Sequence, residues 1–264
     1  QDPFSLVVLD EAHFTAGNGD HSGRALHEKH IRAERRLFLT ATPRVLGRGK
    51  DAGGSGKSND GDKELVTMRS MDDKALFGPI VYNLKQSEAI EWGITVPVKL
   101  AIVEKNDNAH PKSTPRKIMS NEESIGLEYA SKALILQDFV KRLNLKKVIS
   151  FSRTNKRSRL LHGALSQSST LDCLIVDGRM KAKAREAVLQ RAQKSVSPSS
   201  ARAASPMVLS NARVLTEGFD LPTCDGVFLS DNMESHVTIQ QAMARAARCA
   251  PDKECGYVCV PVGE

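Results

Sequence analysis

Aromatic side chains are scarce in this sequence: one Trp, three Tyr and eight Phe in 264 residues. Base-stacking platforms depend on aromatic faces, so that mode of binding single strands is disfavoured. The five cysteines, Cys173, Cys224, Cys249, Cys255 and Cys259, form an odd set with no C-x-x-C pair. This argues against a disulfide framework and a zinc site and suits the reduced thiols of an intracellular protein of cytoplasm, nucleus or nucleoid. No apolar run approaches the roughly 20 residues of a membrane span, so no membrane partner is expected. No internal period appears, which excludes a repeat architecture. The sequence opens at Gln1 with neither Met nor signal peptide, so it is expected to be cut from something longer.

Basic charge is in excess. A net charge of +7 suits a polyanionic partner, because Lys and Arg gain affinity by releasing counterions from phosphates. Apolar runs alternate with helical patterns along the chain. Strands are expected at 5–9, 36–40, 76–84, 96–103, 147–151, 172–176, 207–210, 226–229 and 257–261. Helices are expected at 24–34, 87–92, 122–143, 155–165, 182–194 and 237–249. Strands alternating with helices predict parallel sheets covered on both faces. The polar stretch 106–121, with Pro111 and Pro115, reads as a linker between a first lobe (1–105) and a second (122–264).

The sharpest local feature is Leu6-Val7-Val8-Leu9-Asp10-Glu11-Ala12-His13. Two carboxylates at the carboxyl end of a buried strand sit where open α/β sheets bind ligands. Phosphoryl transfer needs one carboxylate for Mg²⁺ and a second group to orient water, and Asp10 and Glu11 can divide that labour. Taken alone, the segment also reads, less favourably, as a strand followed by an acidic turn. In the second half, Arg245 and Arg248 lie three apart on an expected helix and so share a face. Lys146, Lys147, Arg153, Lys156, Arg157 and Arg159 concentrate positive charge around the strand 147–151 and could track a phosphate backbone.

Asp10-Glu11-Ala12-His13 resembles the Walker B box of superfamily 2 helicases of the D-E-A-H type. Further matches follow in that family's order: Leu37 to Pro43 with motif III, Val148 to Arg153 with motif IV, Val214 to Pro222 with motif V and Gln241 to Arg248 with motif VI. The last departs from the family's Q-x-x-G-R-x-x-R at Ala244. The resemblance implies two RecA-like lobes with parallel sheets, the first truncated at its N-terminus, and hydrolysis of ATP with Mg²⁺ between them. It assigns Asp10 to the metal, Glu11 to the attacking water, and Arg245 and Arg248 to the transferring phosphoryl group. His13, Gly218, Asp220 and Gln241 would face the nucleotide, Thr40 and Thr42 would couple hydrolysis to movement, and Arg153 and Thr216 would contact nucleic acid.

Within the superfamily the likeness is to restriction-type DNA translocases. Double-stranded DNA is therefore the expected partner, with restriction-type nuclease or methyltransferase modules as possible companions. Two other readings stay open: an RNA helicase, and a non-catalytic nucleic-acid-binding or scaffolding remnant. The last is kept because no P-loop is found. Gly54-Ser55-Gly56-Lys57-Ser58 has Asp51 where a Walker A box needs Gly, and no apolar strand leads into it. His27 and His30 likewise lack the i, i+4 spacing of a zinc-binding helix.

Overall fold

A computed structural model of the chain describes residues 2–17, 23–45, 69–104, 121–168, 170–194, 205–212, 215, 219–233 and 236–262. Their contacts form two compact units, Gln1–Asn83 and Leu84–Glu264.

In the first unit β1 (Val7–Leu9) pairs in parallel with β2 (Arg36–Phe38), Val8 lying opposite Leu37. The helix expected over 24–34 is reduced to a single 3-10 turn, Arg24–Leu26. The cause is Arg36, whose guanidinium takes the Ala25 carbonyl at 2.9 Å and the Ile31 carbonyl at 2.5 Å. Those carbonyls are the ones a continuing α-helix would use for its own ladder. Arg36 also holds Glu28 at 2.6 Å, which lowers the carboxyl below its ordinary range. The strand expected at 76–84 is replaced at its start by a short helix, α1 (Lys74–Phe77). Asp73 caps it, accepting from Ala75 N–H at 2.9 Å, and Gly78 ends it at φ 73°, where a side chain would be strained. Phe77 then meets Phe38 edge-on, with ring centroids 5.1 Å apart.

The second unit comprises α2 (Gln86–Glu91), β3 (Val98–Glu104), α3 (Asn121–Arg142), β4 (Lys147–Phe151), α4 (Asn155–Leu165), β5 (Asp172–Val176), α5 (Ala182–Gln193), β6 (Met207–Asn211), β7 (Gly226–Leu229), α6 (His236–Ala246) and β8 (Gly256–Val262). Among the described residues its six strands form one parallel sheet in the order β3-β8-β7-β4-β6-β5. Residues 84–104 were expected in the first lobe. They fall in this unit because β3 pairs with β8 along its whole length, from Val98 opposite Gly256 to Glu104 opposite Val262. The expected linker lies almost wholly outside the described residues.

Side chains alternate across the pleat, so successive residues of each strand enter different cores. Ile149, Phe151, Leu209, Val227 and Leu229 face α5 and α6, meeting Ala192, Ala242 and Ala246. Val148, Val208, Phe228 and Cys259 face α3 and α4, meeting Tyr129, Ala133, Leu136, Val140, Leu161 and Leu165. The α3 contacts recur at the spacing of one helix face. Each fully buried large apolar side chain contributes about 1.5–3 kcal/mol. Burial on both faces explains why β4, β6 and β7 read as continuous apolar runs. Lys147 was expected among the phosphate-tracking cations. Instead it is buried, donating to the Ala192 and Lys194 carbonyls at the end of α5, and burial draws its pKa below the ordinary lysine value. No helix among the described residues is long and apolar enough to cross a membrane.

Candidate functional site

Within each unit taken separately, polar groups follow the carboxyl ends of the parallel strands. Asp10 and Glu11 follow β1, Thr40 follows β2, Ser152 follows β4, Asp177 follows β5, Asn211 closes β6, and Ser230 and Asp231 follow β7.

On the first unit, Asp10 is exposed and its Oδ1 accepts from the Glu11 N–H at 2.9 Å. Glu11 has φ 48°, ψ 44°, left-handed backbone that is uncommon for a residue with a side chain. The sharp bend ends the strand and turns the chain into a 3-10 turn, Ala12–Thr15, which buries His13. His13 Nδ1 then lies 3.0 Å from Thr40 Oγ1, 3.3 Å from Thr42 Oγ1 and 3.3 Å from Glu11 Oε2. Thr40 Oγ1 also accepts from Thr42 N–H at 3.1 Å. Backbone bonds from Ala12 to Leu39 and from Leu39 to Leu9 tie the two loops together. His13, Thr40, Thr42 and Glu11 thus form one network. The other ring nitrogen, His13 Nε2, is buried with no hydrogen-bond partner among the described residues.

On the second unit, Arg245 is buried in the last turn of α6 and donates to the Phe219 carbonyl. Arg248 was expected on the same helix, but α6 stops at Ala246 and Arg248 lies beyond it, bridged to Thr95. The helix stops early because Val96 N–H takes the Ala247 carbonyl at 2.8 Å and Lys253 Nζ takes the Arg248 carbonyl at 2.7 Å. Arg248 still reaches the same loop as Arg245: it pairs with Asp220 and lies 3.5 Å from the Phe219 carbonyl. Burial draws its guanidinium pKa below the ordinary value. Gln241 Nε2 is buried without a hydrogen-bond partner among the described residues, and Ala244 is exposed. Thr216 and Gly218 lie outside the described residues, as does 54–58.

Arg153 is exposed just past β4, and its backbone N–H donates to Asp231 Oδ2 at 2.8 Å. Three residues missed by sequence reasoning organise these loops. Asp231 is the first. Asn211 is the second: its amide donates to the Ser150 carbonyl at 2.9 Å and its Oδ1 accepts from Leu215 N–H at 3.2 Å. Lys253 is the third, donating to the Cys224 and Arg248 carbonyls at 2.5 and 2.7 Å. None belongs to a periodic pattern; Asp231 and Asn211 showed only as polar residues near the end of an apolar run, and Lys253 carried no signal at all.

A parallel sheet with helices on both faces and polar groups along its carboxyl edge defines the second unit as a RecA-like α/β lobe. Residues 131–250 match the helicase conserved C-terminal domain. A probable helicase of African swine fever virus is 24% identical over 246 residues, covering 92% of this chain and 24% of the viral protein. The same protein from a second strain is 25% identical over 246 residues. The chain therefore spans about a quarter of the length of these curated relatives.

Among solved structures, the ATP-dependent Type ISP restriction-modification enzyme LlaBIII bound to DNA superposes with a TM-score of 0.73 at 24% identity, over 100% of this chain and 18% of that enzyme. A fragment of a putative HsdR subunit of a type I restriction enzyme from Vibrio vulnificus gives 0.61 at 18% identity, covering 98% and 43%. S. cerevisiae Dbp5 bound to RNA and ADP BeF3 gives 0.58 at 16%, covering 100% and 55%. The second unit thus carries the match to a helicase conserved C-terminal domain, and the chain shares its fold with the helicase-containing enzymes above.

Proposed function

We propose that this chain is the motor portion of an ATP-dependent helicase or translocase acting on double-stranded DNA. The observation that carries the reading is the network behind the paired carboxylates: Asp10 and Glu11 at a strand end, with His13 joined to Thr40 and Thr42. A structural acidic turn has no need of a buried histidine held against two threonine hydroxyls of the neighbouring loop.

The residues fit ATP and Mg²⁺. An exposed carboxylate at the strand end suits a hard cation that takes one or two protein oxygens and the rest from phosphates and water. Two side chains assigned to the nucleotide, His13 and Gln241, each bury a nitrogen that no group among the described residues satisfies. When bound, Mg²⁺ neutralises charge on the phosphates. Asp10 would hold the metal, and Glu11 would orient the attacking water and accept its proton. Arg245 and Arg248 stabilise charge on the transferring group, exchanging part of their bonds to Phe219 and Asp220 to do so. Gly218 and Asp220 also face the nucleotide, Thr40 and Thr42 couple turnover to movement, and Arg153 and Thr216 hold the nucleic-acid backbone.

DNA is favoured over RNA by the higher superposition on a DNA-bound restriction enzyme. Restriction-type nuclease or methyltransferase modules are the companions this reading implies. The RNA reading keeps the fold of an RNA-bound helicase in its favour.

The test is nucleic-acid-stimulated ATP hydrolysis by the longest natural polypeptide containing this sequence, comparing duplex DNA with RNA. The expected result is stimulation by DNA that Glu11→Gln abolishes while leaving ATP binding intact. Stimulation by RNA alone would move the substrate to RNA. Binding of nucleic acid without any turnover would leave a non-catalytic module.

A further inference from the structure

One carboxylate in the second unit collects more partners than any role described so far requires. Asp231 lies just past the end of β7, with its side chain 1% exposed. Its Oδ2 accepts from the Arg153 backbone N–H at 2.8 Å. Its Oδ1 accepts from the Tyr129 hydroxyl, lies 3.3 Å from Lys132 Nζ and lies 3.4 Å from Arg157 Nη1. Tyr129 is buried, and its hydroxyl pKa is raised by that burial and then by the carboxylate beside it.

These partners come from three places: α3 supplies Tyr129 and Lys132, the end of β4 supplies Arg153, and the first turn of α4 supplies Arg157. A buried carboxylate is costly unless paired and hydrogen-bonded, and here both conditions are met. The cations it holds are only partly covered. The Arg157 side chain is 43% exposed, and Arg153 and Lys156 lie exposed beside it. Asp231 therefore fixes, from inside the fold, the base of a basic surface around the start of α4.

We infer that Asp231 is a positioning residue for nucleic-acid binding, holding Arg157 and the Arg153 backbone in the arrangement that grips backbone phosphates. The inference rests on the nucleic-acid motor reading above. Its physical basis is preorganisation. A free arginine loses rotamer freedom with each phosphate it binds, whereas one already anchored through part of its guanidinium loses less. The anchoring Oδ1 meets one nitrogen of the Arg157 fork, and a fork can engage two groups at once. Thr154 caps α4 by accepting from Arg157 N–H at 3.3 Å, so the backbone of the same residue is also fixed.

The sign of the effect separates positioning from plain electrostatics. Removing a negative charge from a basic surface should tighten phosphate binding by Coulomb attraction alone. Positioning requires the opposite. The whole 264-residue chain is titrated with a fluorescein-labelled DNA duplex of random sequence across a range of salt concentrations, alongside thermal unfolding. Asp231→Asn is expected to weaken binding about tenfold and to reduce the slope of log affinity against log salt by about one contact. Arg157→Ala is expected to do the same, and Asp231→Asn should then add nothing in the Arg157→Ala background.

Tyr129→Phe keeps every charge and removes one bond to the carboxylate, so it should weaken binding about twofold. It decides the matter if Asp231→Asn does not fold. Asp231→Asn binding as tightly as wild type or more tightly, fully additive losses, or an unchanged Tyr129→Phe would each overturn the inference. A wild-type chain that fails to bind duplex would sink the motor reading and this inference together. Wild-type binding that Arg157→Ala weakens and Asp231→Asn does not would sink the inference alone.

Discussion

His13 Nδ1 and Thr40 Oγ1 stand 3.0 Å apart, although 27 residues separate them in the chain. That bond joins the loop after β1, which carries Asp10 and Glu11, to the loop after β2, which carries Thr40 and Thr42. A shift in either loop must be felt by the other, since His13 is buried and also within 3.3 Å of Glu11.

The first prediction concerns this link. Replacing both Thr40 and Thr42 by Val removes the two hydroxyls with little change in volume. In the intact motor, ATP turnover should fall by less than about tenfold, while translocation measured by triplex displacement falls by about a hundredfold or more. Equal losses in both assays would show that the hydroxyls serve the chemical step rather than its coupling.

The second concerns Arg248, which is held by Asp220 and the Phe219 carbonyl. Arg248→Lys keeps the charge but loses the planar fork. Stimulated ATP turnover is expected to fall about a thousandfold, with affinity for a non-hydrolysable ATP analogue changed by only a few-fold. Lysine supporting near-normal turnover would remove Arg248 from the list of groups acting on the transferring phosphoryl.

The third tests how α6 is placed. A Cβ added at Gly256 would come within 2.0 Å of the Ala246 carbonyl oxygen and 2.6 Å of its carbon. These are backbone atoms at the end of the helix that carries Arg245. Gly256→Ala should therefore displace the end of α6 and destabilise the chain by about 2 kcal/mol or more, read from the urea midpoint. An unchanged midpoint would mean that α6 can slide without cost, and that Gly256 does not fix the arginines.

The sequence determined much of the second unit without assistance. The strands 147–151, 172–176 and 226–229 and the helix 155–165 appear with the bounds expected of them. The strands are short apolar runs and the helix buries one face, so the local hydrophobic pattern carries the information. The order of the helicase-like segments is likewise written in the chain. Elsewhere a distant partner decided. The helix expected at 24–34 yields to Arg36, which takes its carbonyls. The strand at 98–104 joins β8, because an edge strand pairs with whichever neighbour offers a matching register. Arg248 leaves its helix because Thr95, Val96 and Lys253 hold that backbone. Asp231 gains its meaning only when α3, β4 and α4 converge on it. Local pattern records which face of an element is apolar. It holds no record of which distant donor will meet a given carbonyl or carboxylate, and only the tertiary structure settles that.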